Sequence, residues 1–168
     1  RSWRAERGFH LTAPNGGFGP KADTRPQDRT LEIMLLARIS LTISAFLFSV
    51  GPTVVDLSPS HVFNDAWPPH ARFHMVWLLV VLAVAGLATF AGAWLIKDDQ
   101  VKLFKLITLP GWLVMIPFFV AVLTVGAYGG SLSDMPDAPK VFGFDGNIVG
   151  FSIGAIFQAI ATFYAWRR

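Results

Sequence analysis

Three of the chain's four histidines lie close together, in the string Ser60-His61-Val62-Phe63-Asn64-Asp65-Ala66-Trp67-Pro68-Pro69-His70-Ala71-Arg72-Phe73-His74. Proline suits the first turn of a helix, so a helix opening at Pro68-Pro69 sets His70 and His74 one turn apart on one face, with Trp77 beside them. Two imidazoles at that spacing can ligate one metal ion, with Asp65 as a further ligand. One of them can instead bind a haem iron, with His61 as second ligand or orienter. The same groups can pass protons to a quinone or polarise a lipid-soluble substrate at a membrane surface. Histidines and tryptophans at a membrane interface also anchor a helix among the headgroups without any reaction. Residue types and spacing leave all three readings open: a cofactor site on His70, His74 and His61 or a metal site on His70, His74 and Asp65, an acid/base site, or an anchor.

Other chemistry is poorly represented. The chain has no cysteine, which removes disulfides, thiol nucleophiles and thiolate-bound metals. Gly16-Gly17-Phe18-Gly19 lacks the Lys-Ser/Thr pair and the strand–helix setting of a phosphate loop, and no nucleophile or zinc-protease motif occurs. Basic character is confined to the tail and short connections, which fits a membrane surface or a protein partner and not a nucleic acid.

The elements that must carry these residues are membrane spans. Of 168 residues, 53% are hydrophobic, and they are gathered in long uncharged blocks. These are Ile39–Val55, Met75–Ile96, Leu106–Gly130 and Asn147–Trp166. Each approaches or exceeds the roughly 17–20 residues that cross about 30 Å of hydrocarbon as a helix. The blocks do not alternate, and four strands cannot close a barrel, so helices are the only option. The first block extends back to Leu31 if Arg38 snorkels to the headgroups. The sequence therefore predicts an all-α, integral membrane four-helix bundle. An irregular polar tail occupies 1–30, and a four-span domain 31–168 has spans near 31–55, 73–96, 105–128 and 146–166.

Charge orients the bundle. Eleven of the fourteen basic residues lie in the tail, in the connection holding Lys97, Lys102 and Lys105, or at Arg167-Arg168. The other two connections hold Arg72 and Lys140 against Asp56, Asp65, Asp134, Asp137 and Asp145. The positive-inside bias predicts that both termini face cytoplasm, matrix or stroma. The first residue is Arg, which fits either removal of a basic presequence on import into an organelle, with an inner or thylakoid membrane as destination, or truncation of a longer chain.

Small residues mark tight helix contacts. Gly146, Gly150 and Gly154 recur at spacing four in the last span, followed by Gln158, and Ala85, Ala88, Thr89, Gly92 and Ala93 form rows in the second. Pro110 and Pro117 predict kinks in the third span. Trp67, Trp77, Trp94, Trp112, Trp166, Tyr128 and Tyr164 fall near span ends as an aromatic belt does. The tail, with Gly16-Gly17, Gly19-Pro20 and Arg25-Pro26, has no apolar period, and its ordering requires a neighbour.

The string His61-x-Phe63-Asn64-x-x-Trp67-x-Pro69-His70-Ala71-Arg72-Phe73-His74, followed by a span, resembles the signature of an uncharacterised family of small four-helix membrane proteins. The resemblance covers the four spans and implies their topology, with no activity attached. The chain is also similar, more loosely, to membrane-bound styrene oxide isomerases, through Trp67 to His70 or His74, Gly111-Trp112 and the Gly/Pro-rich loop before the fourth span. That similarity implies haem b on His70 or His74 and an epoxide-to-carbonyl rearrangement.

Two functions follow as expectations. The first is an accessory, non-catalytic subunit of a larger respiratory or photosynthetic membrane complex, packed at its periphery among lipids and other membrane subunits and clamped by its tail. The second is a small membrane-embedded haem- or metal-dependent enzyme, isomerase-like, acting on a hydrophobic substrate through His70 and His74. Haem b, a pigment or a lipid are the ligands that such a bundle accepts.

Overall fold

In the computed structural model, residues 26–133 and 140–167 are described, with side chains from Asp28 onward. Residues 1–25 of the tail expected to clamp a neighbour, together with Asp134 and Asp137, lie outside the described residues, and its last five residues, expected to be irregular, are helical. Four helical segments are long and apolar enough to cross a membrane: Asp28–Asp56, Pro69–Leu95, Val101–Leu123 and Gly146–Trp166. The chain is an all-α four-helix membrane bundle.

The first span is built from three pieces. Helix α1 is Pro26–Ala45, a π-helical turn covers Phe46–Val50, and α2 is Gly51–Asp56. Proline's fixed φ and missing N–H suit a first helical turn, and Asp28 lies in that turn against the positive end of the helix dipole, so the helix opens five residues before Leu31. The π turn has a local cause. Pro52 cannot donate, and in a regular α-helix its ring would meet the carbonyl of Phe48. The widened turn, in which Gly51 N–H bonds to Phe46 O, relieves that conflict.

Helix α3, Pro69–Leu95, buries Leu79, Leu82, Gly86, Thr89 and Ala93, a stripe at alternating spacings of three and four. The third span is interrupted. Helix α4, Val101–Leu106, stops at Ile107–Thr108, where the Thr108 hydroxyl turns back to donate to Lys105 O at 2.7 Å. Helix α5, Leu109–Leu123, restarts with Pro110 in its first turn. The expected Pro110 kink is thus a break just before the proline, whereas Pro117 lies inside a continuous α5. A two-stranded hairpin, β1 Lys140–Val141 and β2 Phe144–Asp145, turns at Phe142-Gly143, both at positive φ. It leads into α6, Gly146–Trp166, which Asp145 caps by accepting from Asn147 N at 2.9 Å.

Successive spans run antiparallel. The first span lies between α3 and α6, and α5 completes the bundle against both. Three apolar clusters fill the interior along its length. Met34, Ala37, Leu41, Phe104 and Ala161 lie at the basic end, Ala45, Phe48 and Met115 at the centre, and Val62, Leu79 and Leu82 at the histidine end. Large side chains such as Leu35, Phe46, Val84, Leu113 and Leu123 point outward, as hydrocarbon solvent permits.

Polar clamps tie the spans together at defined heights. Arg38 reaches back toward the basic connection after the second span. Its guanidinium bonds to Ala93 O, to Ile96 O at 2.8 Å and to Asp98 Oδ1 at 2.7 Å, and it covers the Phe104 ring. It thereby satisfies carbonyls that the end of α3 leaves without helical partners. Trp94 Nε1 donates to Thr42 Oγ1 and Trp112 Nε1 to Thr162 Oγ1, each at 2.9 Å.

Candidate functional site

The expected histidine cluster separates into two places. After α2 the chain folds back through Leu57–Pro68, where Val62 N bonds to Asp56 O at 3.0 Å and the Val62 side chain plugs between Leu79 and Leu82. With Val62 turned in, its neighbour His61 faces Asp56, with Nε2 3.7 Å from Oδ1. His61 Nδ1 is 2.9 Å from Ser60 Oγ, which in turn is 2.7 Å from Ser58 Oγ. Trp67 packs edge-on against the imidazole at 5.6 Å. Asn64 holds the turn by donating to Ser60 O and accepting from Ala66 N.

His61 lines a cavity of about 610 Å³ between the first span and α6. Leu47, Gly51, Pro52 and Val55 form one wall, Gly146, Gly150 and Phe151 the other, and Ser60, His61, Asn64, Asp145 and Asn147 the polar mouth. Within the bundle Gly146, Gly150 and Gly154 do not form one close contact. A Cβ on Gly146 or Gly150 would touch nothing within 4 Å, and only Gly154 is close-packed, with Met115 Cε at 2.7 Å from the Cβ position. Successive positions four apart drift by about 40° around a helix, so Gly146 and Gly154 point about 80° apart. The first two glycines line the cavity and the third packs against Met115.

His70 and His74 stand elsewhere, on the outward face of α3, with their Nε2 atoms 3.0 Å apart. His70 stacks with Phe73, and His74 leans on Trp77. Asp65 turns to Arg72 at 3.9 Å and His61 to Asp56, so neither joins the pair as expected. Among the described residues no group of three His, Asp or Glu side chains is placed to hold a metal. A haem needs apolar walls on both of its faces. At His70 and His74 the protein offers one, because Phe73 and Trp77 are themselves exposed. Gly111-Trp112, the other element of the isomerase resemblance, opens α5 near the opposite end of the bundle and contacts Gln158 and Thr162. These residues do not fit a haem held between helices.

Sequence reasoning noted Gln158 without a partner. It is fully buried, accepting from Ser44 Oγ at 2.9 Å and donating to Thr108 O at 2.6 Å. The cavity was signalled by Gly51 and Pro52 interrupting an apolar block and by the glycine row opposite.

Fold and site together define a four-span α-helical membrane protein with an interhelical cavity whose mouth carries His61, itself 3.7 Å from Asp56. Residues 40–167 match a family of unknown function, DUF6640, and the chain belongs to it. No curated protein matches the chain. No solved structure matches it either.

Proposed function

We propose that the chain binds a lipid-soluble small molecule bearing one polar end, and that the Asp56–His61 pair exchanges a proton with it. The cavity carries this reading: its volume suits a small ligand, its walls are apolar, and its polar groups are gathered at the mouth. The apolar body of the ligand lies against Leu47, Val55 and Phe151, and the polar end meets His61, Asn64 and Asn147. A proton taken from one atom of the ligand and returned at another needs no co-reactant, which makes isomerisation the simplest chemistry here. In the orientation that the charge bias favours, the mouth opens away from the cytoplasm, matrix or stroma, and a hydrophobic ligand enters from the membrane. The test is mass spectrometry of small molecules retained by protein purified in mild detergent. A defined ligand present in the wild type and depleted in Gly150→Leu supports the proposal, and identical retention by both overturns it.

The accessory-subunit reading is the second proposal, favoured by a groove of about 400 Å³ on the outside of the bundle, between Phe46, Ser49 and Val50 of the first span and Gly86, Leu87 and Phe90 of α3. Such a groove takes a side chain from a neighbouring helix in a respiratory or photosynthetic assembly. The native mass after gentle extraction tests it. Migration far above 18.4 kDa with subunits of such an assembly supports it, and a small homo-oligomer overturns it.

A further inference from the structure

Away from the cavity, two imidazoles face one another on the outer surface of α3. Their Nε2 atoms are 3.0 Å apart, with ring centroids at 4.4 Å and planes at 84°. We propose that His70 and His74 chelate a divalent transition-metal ion, Cu²⁺ or Ni²⁺ in preference to Zn²⁺, with water completing the coordination.

The separation of the nitrogens is close to what one shared ion requires. Metal–imidazole bonds run to about 2.0–2.1 Å, and two of them ending on nitrogens 3.0 Å apart enclose an angle of about 94°. Square-planar and tetragonal ions take adjacent ligands near 90°. A tetrahedral ion needs about 109°, which would spread the nitrogens to about 3.3 Å. In the absence of an ion the two Nε2 atoms share an N–H···N hydrogen bond, so a bound ion takes the place of that proton as both lone pairs turn to it, and the stability order of divalent ions puts Cu²⁺ first.

The helix supplies the preorganisation. Residues four apart on α3 present their rings to the same spot, Phe73 stacks on His70 at 15°, and Trp77 leans on His74 at 38°. Both rings are exposed, so the ion and its waters have free access. With Asp65 held toward Arg72 and His61 toward Asp56, the pair is the whole protein contribution among the described residues.

The experiment uses the full chain without an affinity tag, in detergent micelles, titrated with CuCl₂ and read by calorimetry and electron paramagnetic resonance. The expected result is one equivalent of Cu²⁺ with nitrogen hyperfine structure from two imidazoles, and weaker binding of Zn²⁺ than of Ni²⁺. His70→Asn and His74→Asn each weaken Cu²⁺ binding at least tenfold, whereas His61→Asn and His10→Asn leave it unchanged. A double variant, His74→Asn with Met75→His, preserves the number of histidines but breaks their spacing, and it too loses the site. Metal-free thermal unfolding of each variant establishes that it is folded. Wild-type affinity in His70→Asn and His74→Asn, or in the respaced variant, overturns the proposal, as does a wild-type chain that binds no Cu²⁺. The cavity is not involved, so either reading stands or falls without the other.

Discussion

Gln158 donates from its side-chain amide to the main-chain carbonyl of Thr108 at 2.6 Å, deep in the bundle and next to the point where the third span breaks. Its oxygen accepts from Ser44 at the same level, so one residue joins the first, third and fourth spans. In hydrocarbon no water stands in for a lost partner, although alternative partners in the membrane-unfolded state reduce the net worth of such bonds. Gln158→Leu strands Ser44 and Thr108 and is expected to lower stability by about 1–2 kcal/mol. Reversible unfolding in mixed micelles measures it, and an unchanged midpoint removes the amide from the account of how these spans are held.

Arg38 offers a graded test. Its guanidinium is 12% exposed, and Asp98 opposite is 47% exposed. Arg38→Ala leaves the Ala93 and Ile96 carbonyls without their donor and is expected to cost about 2–3 kcal/mol, whereas Asp98→Asn costs less than about 1 kcal/mol because that side of the pair is screened by water. Arg38→Lys falls between them, since a single ammonium cannot span the fork. Equal effects of the first two substitutions would show that the ion pair, and not the capping of α3, is what matters.

The glycine row should divide under substitution. Gly154→Val drives a side chain into Met115 and is expected to destabilise by about 1–3 kcal/mol. Gly150→Ala adds a methyl to open space and raises helix propensity, so stability stays level or rises by up to about 1 kcal/mol. Thermal unfolding of the two variants side by side decides whether the row is one contact surface or two.

Val62 holds the loop that carries His61. Val62→Ala removes two methyls from a site that is 7% exposed and is expected to cost about 1 kcal/mol, felt mainly as faster proteolysis of the Leu57–Pro68 connection. Limited proteolysis in nanodiscs reads this directly. Cleavage at the wild-type rate would mean that another contact secures His61.

Much of this architecture is legible in residue order. Length and charge-free runs define four spans, and the last runs from Gly146 to Trp166 as expected because a capping aspartate and a hairpin mark its start. The first two spans begin earlier than hydropathy indicates, at Pro26 and Pro69, since a first turn can be polar when proline fixes it. The candidate site was less legible. Spacing placed His70 beside His74, but it also drew in His61 and Asp65, whose directions depend on Val62 turning inward and on Arg72. A repeat of four residues looks like one face in a linear string and is a slow spiral on a helix. The partners of Arg38 and Gln158 lie fifty or more residues away in sequence, beyond the reach of any local pattern.

The π turn at Phe46–Val50 sets the angular phase of everything beyond it. Each residue advances an α-helix by about 100°, so a wide turn that absorbs one additional residue rotates the following segment by roughly that angle relative to an uninterrupted helix. Gly51, Pro52 and Val55 owe their view of the cavity to that offset, and so does the approach of Asp56 to His61. Removing a single residue from the turn would leave the span no less apolar, but would set the Pro52 ring against a carbonyl one turn before it and swing the carboxylate off the imidazole. The irregularity acts as a dial, and the sequence has set it where the acid and the base meet.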